Sequence, residues 1–162
     1  MIRTTRHSLA AVGLTAGLLL PQPAMALLEG CEVSATGVDF GIYDPLSASD
    51  NEATGNVTVT CTVTLVGLTV TYEIRLDTGG SGTYFPREMT SGTHTLEYQL
   101  YIDSARTTVW GDGSSGTDTW NVTTLLQVGT TVDDYTIYGS IPASQMVAAG
   151  TYGDTITVTL EY

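Results

Sequence analysis

Few side chains in this sequence have the type and spacing that catalysis or metal binding requires. His94 is one of two histidines, and no set of cysteines, histidines or carboxylates surrounds it at the spacing of metal ligands. The sequence has no G-x-S-x-G motif, which would mark a serine nucleophile. We predict that His94 is a surface side chain and that the protein is not an enzyme. We also expect no metal site and no cofactor.

Two acidic features resemble calcium ligands at first inspection. Asp112 lies in a glycine- and serine-rich stretch, and Asp133 and Asp134 are adjacent. A calcium loop needs several oxygen donors at fixed offsets, ending in a bidentate carboxylate, and neither stretch has that pattern. We expect Asp112 to stabilise a turn and the Asp133–Asp134 pair to lie on a solvated edge.

Two tryptophans flank the glycine-rich residues 111–116. Aromatic rings offer an apolar face on which sugars stack, although they more often belong to the core. Trp110 and Trp120 are the one aromatic pair that we expect at the surface, as a candidate ligand platform. Four tyrosines have the sequence parity of apolar neighbours and are predicted to be buried: Tyr72, Tyr98, Tyr135 and Tyr162.

The first 26 residues are typical of a secretory signal peptide. Arg3 and Arg6 precede a largely apolar run of 12 residues, 9–20, and Ala24 and Ala26 supply the small residues of a cleavage site. The run is shorter than the roughly 20 residues that span a bilayer. We therefore predict a signal peptide over residues 1–26 and one exported domain over residues 27–162. No membrane insertion is expected for the mature chain.

The predicted mature chain is strongly acidic. It contains all 17 acidic residues and three arginines, Arg75, Arg87 and Arg106, and it has no lysine, which gives a formal charge of −14. Such a chain is repelled by nucleic acid phosphates and by anionic lipid headgroups, so we expect no nucleic acid partner. The charge is expected to keep an exported protein soluble.

Two cysteines, Cys31 and Cys61, remain after cleavage. An even number of cysteines in an exported chain indicates a disulfide. A lipidated Cys31 is the alternative, but Glu29 stands where a lipobox has a small residue, and Cys61 would have no partner. A Cys31–Cys61 bond closes a loop of about 30 residues, for which the chain-entropy model gives about 4 kcal/mol.

The elements that position these residues are predicted to be β-strands. Apolar and polar residues alternate over residues 31–35, 55–64, 70–76, 96–102, 132–138 and 156–162. Clusters rich in glycine, aspartate and serine separate them, at 44–47, 77–82, 111–116 and 149–150. Short strands at this spacing predict an all-β sandwich or barrel. In the last strand, parity directs Ile156, Val158, Leu160 and Tyr162 to the core.

Several motifs, in order along the chain, resemble those of a known family. They are CEVS (31–34), FGIYDPL (40–46), VTVTC (57–61), GSG (80–82), REM (87–89), LEYQLY (96–101), TVWGDG (108–113), YGSIP (138–142) and GTYGDTITV (150–158). They cover nearly all of the mature chain. The chain resembles the spore coat protein U domain, which is also the subunit domain of archaic chaperone–usher pili.

The resemblance implies an incomplete immunoglobulin-like β-sandwich that lacks its last strand. It implies a periplasmic pilus chaperone that lends a strand, an outer-membrane usher, and a neighbouring pilin subunit that later donates a strand of its own. Ile156, Val158, Leu160 and Tyr162 would then form the strand-acceptor and chaperone contact. The expected location is the periplasm in transit and then the cell surface or the extracellular space.

One feature departs from a polymerising pilin. Such a subunit needs a donor segment of about ten residues before its first cysteine, and only residues 27–30 precede Cys31 after the predicted cleavage. We therefore predict a structural or adhesive subunit at a tip or terminal position of a surface fibre. The alternatives are a free-standing secreted carbohydrate-binding module that uses Trp110 and Trp120, and a coat protein that does not polymerise.

Overall fold

The computed structural model describes residues 3–5, 28–64 and 68–162. None of these segments forms a helix with the length and apolarity needed to cross a bilayer. A single 3-10 turn occupies Gly79–Ser81. Within the described ranges the strands are β1 (Arg3–Thr5), β2 (Leu28–Thr36), β3 (Asn51–Val63), β4 (Leu68–Leu76), β5 (Arg87–Ser91), β6 (His94–Tyr101), β7 (Trp120–Leu126), β8 (Gly129–Ile141) and β9 (Thr157–Glu161).

The strands form two sheets. One has the order β1-β9-β4-β7, and the other has the order β2-β3-β8-β6-β5. All strand pairs are antiparallel except β1 with β9, which is parallel. The buried apolar side chains of both sheets form one core cluster. The predicted all-β sandwich is therefore confirmed.

Strand β3 shows how the sequence produces this packing. Val57, Val59, Cys61 and Val63 are buried, and the threonines between them are only partly covered. Side chains of a strand point alternately to its two faces, so the alternating sequence gives one apolar face and one hydroxyl-rich face. Complete burial of a valine of this kind stabilises the fold by about 1.5 to 3 kcal/mol.

The cysteine prediction is confirmed. Cys31 of β2 lies directly opposite Cys61 of β3, with a Cα–Cα distance of 4.1 Å, and the two form a disulfide. Both residues are buried. The bond therefore ties the edge strand β2 to the centre of its sheet.

Besides β1, which lies in the predicted signal peptide, strands β5 and β7 are missing from the sequence-based prediction. In β5 the inward positions are held by Arg87 and Met89, so a charged residue interrupts the apolar pattern. In β7 the adjacent Leu125 and Leu126 break the alternation. Strand β8 is also longer than predicted, since the polar residues at its start pair with β3.

Most of the predicted signal peptide, including the cleavage site after Ala26, lies outside the described residues. Of residues 1–26 only β1 is described, and it lies along the outer edge of β9.

Candidate functional site

An apolar cleft of about 710 Å³ opens on one side of the sandwich. Its walls are the segment that follows β2, residues 37–45, and the segment that precedes β9, residues 147–154. Its floor consists of apolar core side chains: Met89, Leu96, Tyr98, Leu100, Ile137, Ile141 and Ile156. The cleft therefore opens directly onto the hydrophobic core.

The first wall is held in place by close packing on β8. A Cβ atom at Gly139 would lie 2.7 Å from side-chain atoms of both Val38 and Phe40, so this contact requires glycine. Phe40 also meets the ring of Tyr98 edge-to-face, with centroids 6.2 Å apart. The amide of Asn51 donates a hydrogen bond to the carbonyl of Phe40 at 3.0 Å. The wall is thus fixed although it is not a strand.

The segment that leads from β8 to the second wall is tied to both the first wall and β6. The hydroxyl of Tyr43 donates to the carbonyl of Pro142 at 2.9 Å and accepts from the amide of Gln145 at 2.7 Å. The side-chain amide of Gln145 exchanges two hydrogen bonds of 2.9 Å with the backbone of Glu97. These contacts fix the segment between β8 and the second wall against Tyr43 and β6.

One polar pair lies in the otherwise apolar cleft. The hydroxyl of Tyr98 donates to Asp154 at 2.6 Å, and the same carboxylate accepts from the backbone amides of Gly80 and Thr155. Burial, followed by this hydrogen bond to Asp154, raises the pKa of Tyr98 far above its usual range. Tyr98 therefore remains a neutral donor that fastens the second wall to the floor.

Exposed apolar side chains surround the mouth of the cleft. Ile42 is 96% exposed and belongs to the first wall, and Met146, at 79%, directly precedes the second. Exposed apolar groups beside an apolar cavity are typical of surfaces that a partner covers.

Strand β9 continues from the cleft, and most of its predicted orientation is observed. Ile156, Val158 and Leu160 are buried, and Glu161 is exposed. Tyr162 is 56% exposed, so its predicted burial is wrong. The reason is that β9 ends at Glu161, and strand parity does not extend beyond the last paired residue.

In the structure β1 occupies the outer edge of β9. Arg3, Thr4 and Thr5 lie beside residues 157–159 in parallel register. This edge of the sheet is therefore able to accept a parallel strand. The strand that occupies it belongs to the predicted signal peptide.

The predicted tryptophan platform is wrong. Trp110 is fully buried, and its indole N–H donates to the carbonyl of Ile74 at 3.1 Å. Trp120 is half-buried and packs edge-to-face on Trp110, with ring centroids 6.4 Å apart. The two rings face the core because the residues that flank the glycine-rich loop bridge to each other, Trp110 with Asp118.

Sequence reasoning missed the buried arginine. Arg87 has no exposed surface, and its guanidinium donates to the carbonyls of Asp77 and Trp110 and to the side chain of Gln99. It also lies over the ring of Tyr84, 5.0 Å from the centroid. Burial lowers the pKa of Arg87. The sequence did contain one indication of this burial. Arg87 lies two residues before the apolar Met89, so in a strand both side chains point to the same face.

The other candidate residues behave as turn and surface groups. His94 is exposed. Asp112 accepts two hydrogen bonds from Ser114, as expected for a turn. Asp134 accepts from Thr58 on the outer face, whereas Asp133 is partly buried and accepts from the hydroxyl of Tyr72. In the described part of the chain, no three histidine, cysteine or acidic side chains are arranged to hold a metal.

Three further tyrosines were expected in the core. Tyr72 and Tyr98 are buried there. Tyr135 is half-buried, and its hydroxyl shares a short hydrogen bond of 2.5 Å with that of Tyr72.

The fold is similar to that of a solved chaperone–subunit complex. The matching chain belongs to the CsuC–CsuE chaperone–tip adhesion subunit pre-assembly complex from archaic chaperone–usher Csu pili of Acinetobacter baumannii. The TM-score is 0.55 at 24% sequence identity, and the match covers 82% of this chain and 40% of that chain. This chain thus spans well under half of that solved chain.

Sequence comparison identifies the family. A curated relative, "Protein U" of Myxococcus xanthus, is 32% identical over 133 residues, which are 77% of this chain and 71% of the relative. The model of the Spore Coat Protein U domain matches residues 18–159. With nearly the whole sandwich inside that match, the chain belongs to the Spore Coat Protein U domain family.

Proposed function

We propose that this protein is an exported subunit of a chaperone–usher surface fibre that accepts a β-strand from a partner. The observation that carries the proposal is the apolar cleft, whose lining ends at Ile156, directly before β9, together with the edge of β9 that pairs with β1. Family membership and the fold shared with a structure of a chaperone–subunit complex support it.

The edge of β9 needs a partner once the signal peptide is removed. Cleavage after Ala26 takes β1 away and leaves the outer backbone groups of residues 157–159 unpaired. An open sheet edge beside exposed apolar surface favours aggregation. A strand supplied by a partner satisfies the backbone, and its alternate side chains fill the pockets.

The cleft extends the same acceptor surface. A strand that lies parallel to β9, as β1 does, runs from the cleft side towards Glu161. Its first inward side chains enter the cleft beside Ile156, and the following ones pack near Val158 and Leu160. The partners are a periplasmic chaperone first and a neighbouring subunit after transfer at an outer-membrane usher.

A tip or terminal position is the second part of the proposal. After cleavage, residues 27–30 precede Cys31, and Leu28 and Gly30 are already paired with Val63 and Thr62 of β3. Residues engaged in their own sheet are not free to complement another subunit. The chain accepts a strand and gives none.

The free-standing carbohydrate-binding alternative has lost its platform, because Trp110 is buried. The other alternative is a coat protein that does not polymerise. The following experiment distinguishes it from a strand-accepting subunit.

Thermal unfolding of the exported protein tests strand acceptance. The probe is a synthetic peptide copied from the amino-terminal segment of a subunit encoded beside this chain. At a peptide concentration of 100 times the Kd, binding stabilises the folded protein by about 2.7 kcal/mol, which raises its Tm by about 8 °C. A peptide with the same residues in scrambled order is the control.

A cleft variant localises the effect. Val38→Arg places a charge on the first wall and is expected to abolish most of the Tm increase, whereas Thr54→Arg, on an exposed position of β3, is expected to preserve it. A stable protein whose Tm does not respond to any donor peptide would contradict the proposal and favour the non-polymerising coat module.

A further inference from the structure

A second cavity, of about 640 Å³, lies between the loops that follow β4 and β6. Its lining comes from residues between 77 and 85 in the first loop and between 112 and 115 in the second. None of these residues lines the apolar cleft. The cavity is therefore separate from the proposed strand-acceptor surface.

An aromatic ring stands at the surface of this cavity. Phe85 is 53% exposed, although its neighbour Tyr84 is buried. The carbonyl of Tyr84 accepts a hydrogen bond of 2.6 Å from the side chain of Gln99, and its hydroxyl donates to the carbonyl of Leu76 at 3.0 Å. The backbone amide of Phe85 donates to the hydroxyl of Thr83 at 2.9 Å. Phe85 is thus displayed to solvent by a firmly anchored segment.

Two carboxylates line the same cavity, and each is fixed in direction. Oδ1 of Asp77 accepts from the backbone amides of Gly79 at 3.0 Å and Thr157 at 2.9 Å. Oδ1 of Asp112 accepts from both the backbone amide and the hydroxyl of Ser114. The second oxygen, Oδ2, of each carboxylate takes no part in these bonds. The carboxylates are therefore held in place by one oxygen, and the other is left out of the turn.

This lining matches the chemistry of a sugar. The C–H face of a sugar ring packs on an aromatic face, and sugar hydroxyls donate to carboxylates and exchange hydrogen bonds with side chains such as Ser115. An apolar surface with a few convergent polar groups, in a volume of about 300 to 1,000 Å³, is typical of a small-molecule site. A wholly apolar ligand would instead dehydrate the two carboxylates without replacing their hydrogen bonds.

Charge narrows the class of sugar. The chain carries a formal charge of −12, and two of its carboxylates line the cavity, so an acidic or sulfated sugar is repelled. Behind the cavity, the buried guanidinium of Arg87 lies 5.0 Å from the ring centroid of Tyr84 and donates to the carbonyl of Asp77. Its positive charge partly offsets the carboxylates and disfavours a cation. A neutral saccharide meets neither penalty.

We propose that this cavity binds a neutral saccharide, one ring of which stacks on Phe85 while its hydroxyls donate to Asp77 and Asp112. The site is distinct from the tryptophan platform expected from the sequence, since neither Trp110 nor Trp120 is among the residues that line it. It also does not rest on strand acceptance at β9, so a failed donor-peptide experiment leaves it standing.

Saturation-transfer-difference NMR of the exported protein tests the binding. The probes are glucose, galactose, mannose, N-acetylglucosamine, cellobiose and lactose. At least one is expected to show saturation transfer, strongest at the ring C–H protons of the stacked face. Glucuronic acid and glucosamine, which carry opposite charges, are expected to bind more weakly than the neutral probe. Binding of the neutral probe is expected to be insensitive to added salt, because no opposite charges meet.

Paired substitutions locate the site. Phe85→Ala removes the stacking face and is expected to weaken binding about five- to ten-fold. Tyr162→Ala, at an aromatic residue that is 56% exposed and lies outside the cavity, is the matched control. Asp112→Asn removes a charged acceptor and is expected to weaken binding about ten-fold. Its control is Asp118→Asn, at an exposed carboxylate of the same loop outside the cavity. Both controls are expected to bind like the unmodified protein.

Three results would overturn the proposal. The first is no saturation transfer to any neutral probe, and the second is binding that survives both Phe85→Ala and Asp112→Asn. The third is a preference for glucosamine that disappears in high salt, which would assign the cavity to a cation. Circular dichroism of each variant establishes that the sandwich is intact.

Discussion

At the residue scale, Arg87 connects three parts of the fold that are distant in sequence. Its guanidinium donates to the carbonyls of Asp77 and Trp110 and to Gln99 of β6. A buried guanidinium is tolerated because several acceptors replace water around it. The loop that carries Trp110 is therefore held by a polar contact and not by apolar packing alone.

Replacing Arg87 is expected to destabilise the protein more than replacing an arginine at the surface. Arg87→Ala leaves buried acceptors without a donor and is expected to cost about 3 kcal/mol or more of unfolding free energy. Arg75→Ala removes partly exposed ion pairs with Glu73 and Glu161 and is expected to cost about 1 kcal/mol or less. Urea unfolding of both variants measures the difference. Equal losses of unfolding free energy in the two variants would contradict this account of Arg87.

Buried tyrosines are expected to make the fold sensitive to alkali. Burial raises the pKa of Tyr84 from 10.0 to about 12, and it also raises the pKa of Tyr72 and Tyr98. Above pH 10 the unfolded chain releases these protons and the folded chain keeps them. The contribution of these neutral tyrosines to the unfolding free energy is therefore complete below about pH 10. It is lost as the pH rises towards the pKa values that the tyrosines have in the folded chain.

Urea unfolding between about pH 9 and pH 11.5 measures this loss. The unfolding free energy is expected to fall steadily above about pH 10, with tyrosinate absorption appearing as the chain unfolds. Tyr84→Phe removes one of the titrating groups, so its stability is expected to fall less steeply. A free energy that stays constant over this range would contradict the prediction.

At the element scale, the last strand has two roles. On one side β9 pairs with β4, and on the other its edge pairs with β1. Its inward residues Val158 and Leu160 belong to the core, and Tyr162 lies beyond the strand. The same element therefore completes the sheet and presents the proposed acceptor edge.

Truncation of the chain end separates these roles. Deleting residues 160–162 removes part of β9 and is expected to abolish co-purification with the periplasmic chaperone. Deleting Tyr162 alone is the matched control and is expected to preserve it, since that residue is exposed and outside the strand. Recovery of the complex with the longer truncation would count against β9 as the chaperone contact.

At the scale of the whole molecule, the proposed acceptor surface has two parts, a cleft and a sheet edge. The cleft opens onto the core, and its lining ends at Ile156, directly before β9, whose outer edge pairs with β1. An inserted strand would use both parts, because its backbone pairs with the edge and its side chains fill the cleft.

The mature protein is therefore expected to form no homopolymer. Under the proposed cleavage after Ala26, the described part of the chain leaves no amino-terminal segment to complement another copy, because Leu28 and Gly30 pair within their own sheet. Electron microscopy of the concentrated protein is expected to show no fibres, and sedimentation is expected to show no polymer. Fibres that assemble from the purified chain alone would rule out the tip position.

The sequence by itself determined the features that depend on local pattern. Alternation in β3, β4, β6 and β9 predicted strands with one buried face, because side chains of a strand alternate between its faces. The even number of cysteines in a chain predicted to be exported indicated the Cys31–Cys61 bond. The same logic failed at Tyr162, where the strand had ended, and at β7, where Leu125 and Leu126 are adjacent.

The tertiary structure alone decided which side chains meet. Trp110 follows no pattern that marks it as core, and its contacts in the core include Arg87 and Ile74, which lie 23 and 36 residues before it in the sequence. The cleft likewise arises from two irregular segments that converge on the floor only after the sheets have packed. Contacts between residues so far apart in sequence depend on strand order and sheet packing, which a period of two residues does not specify.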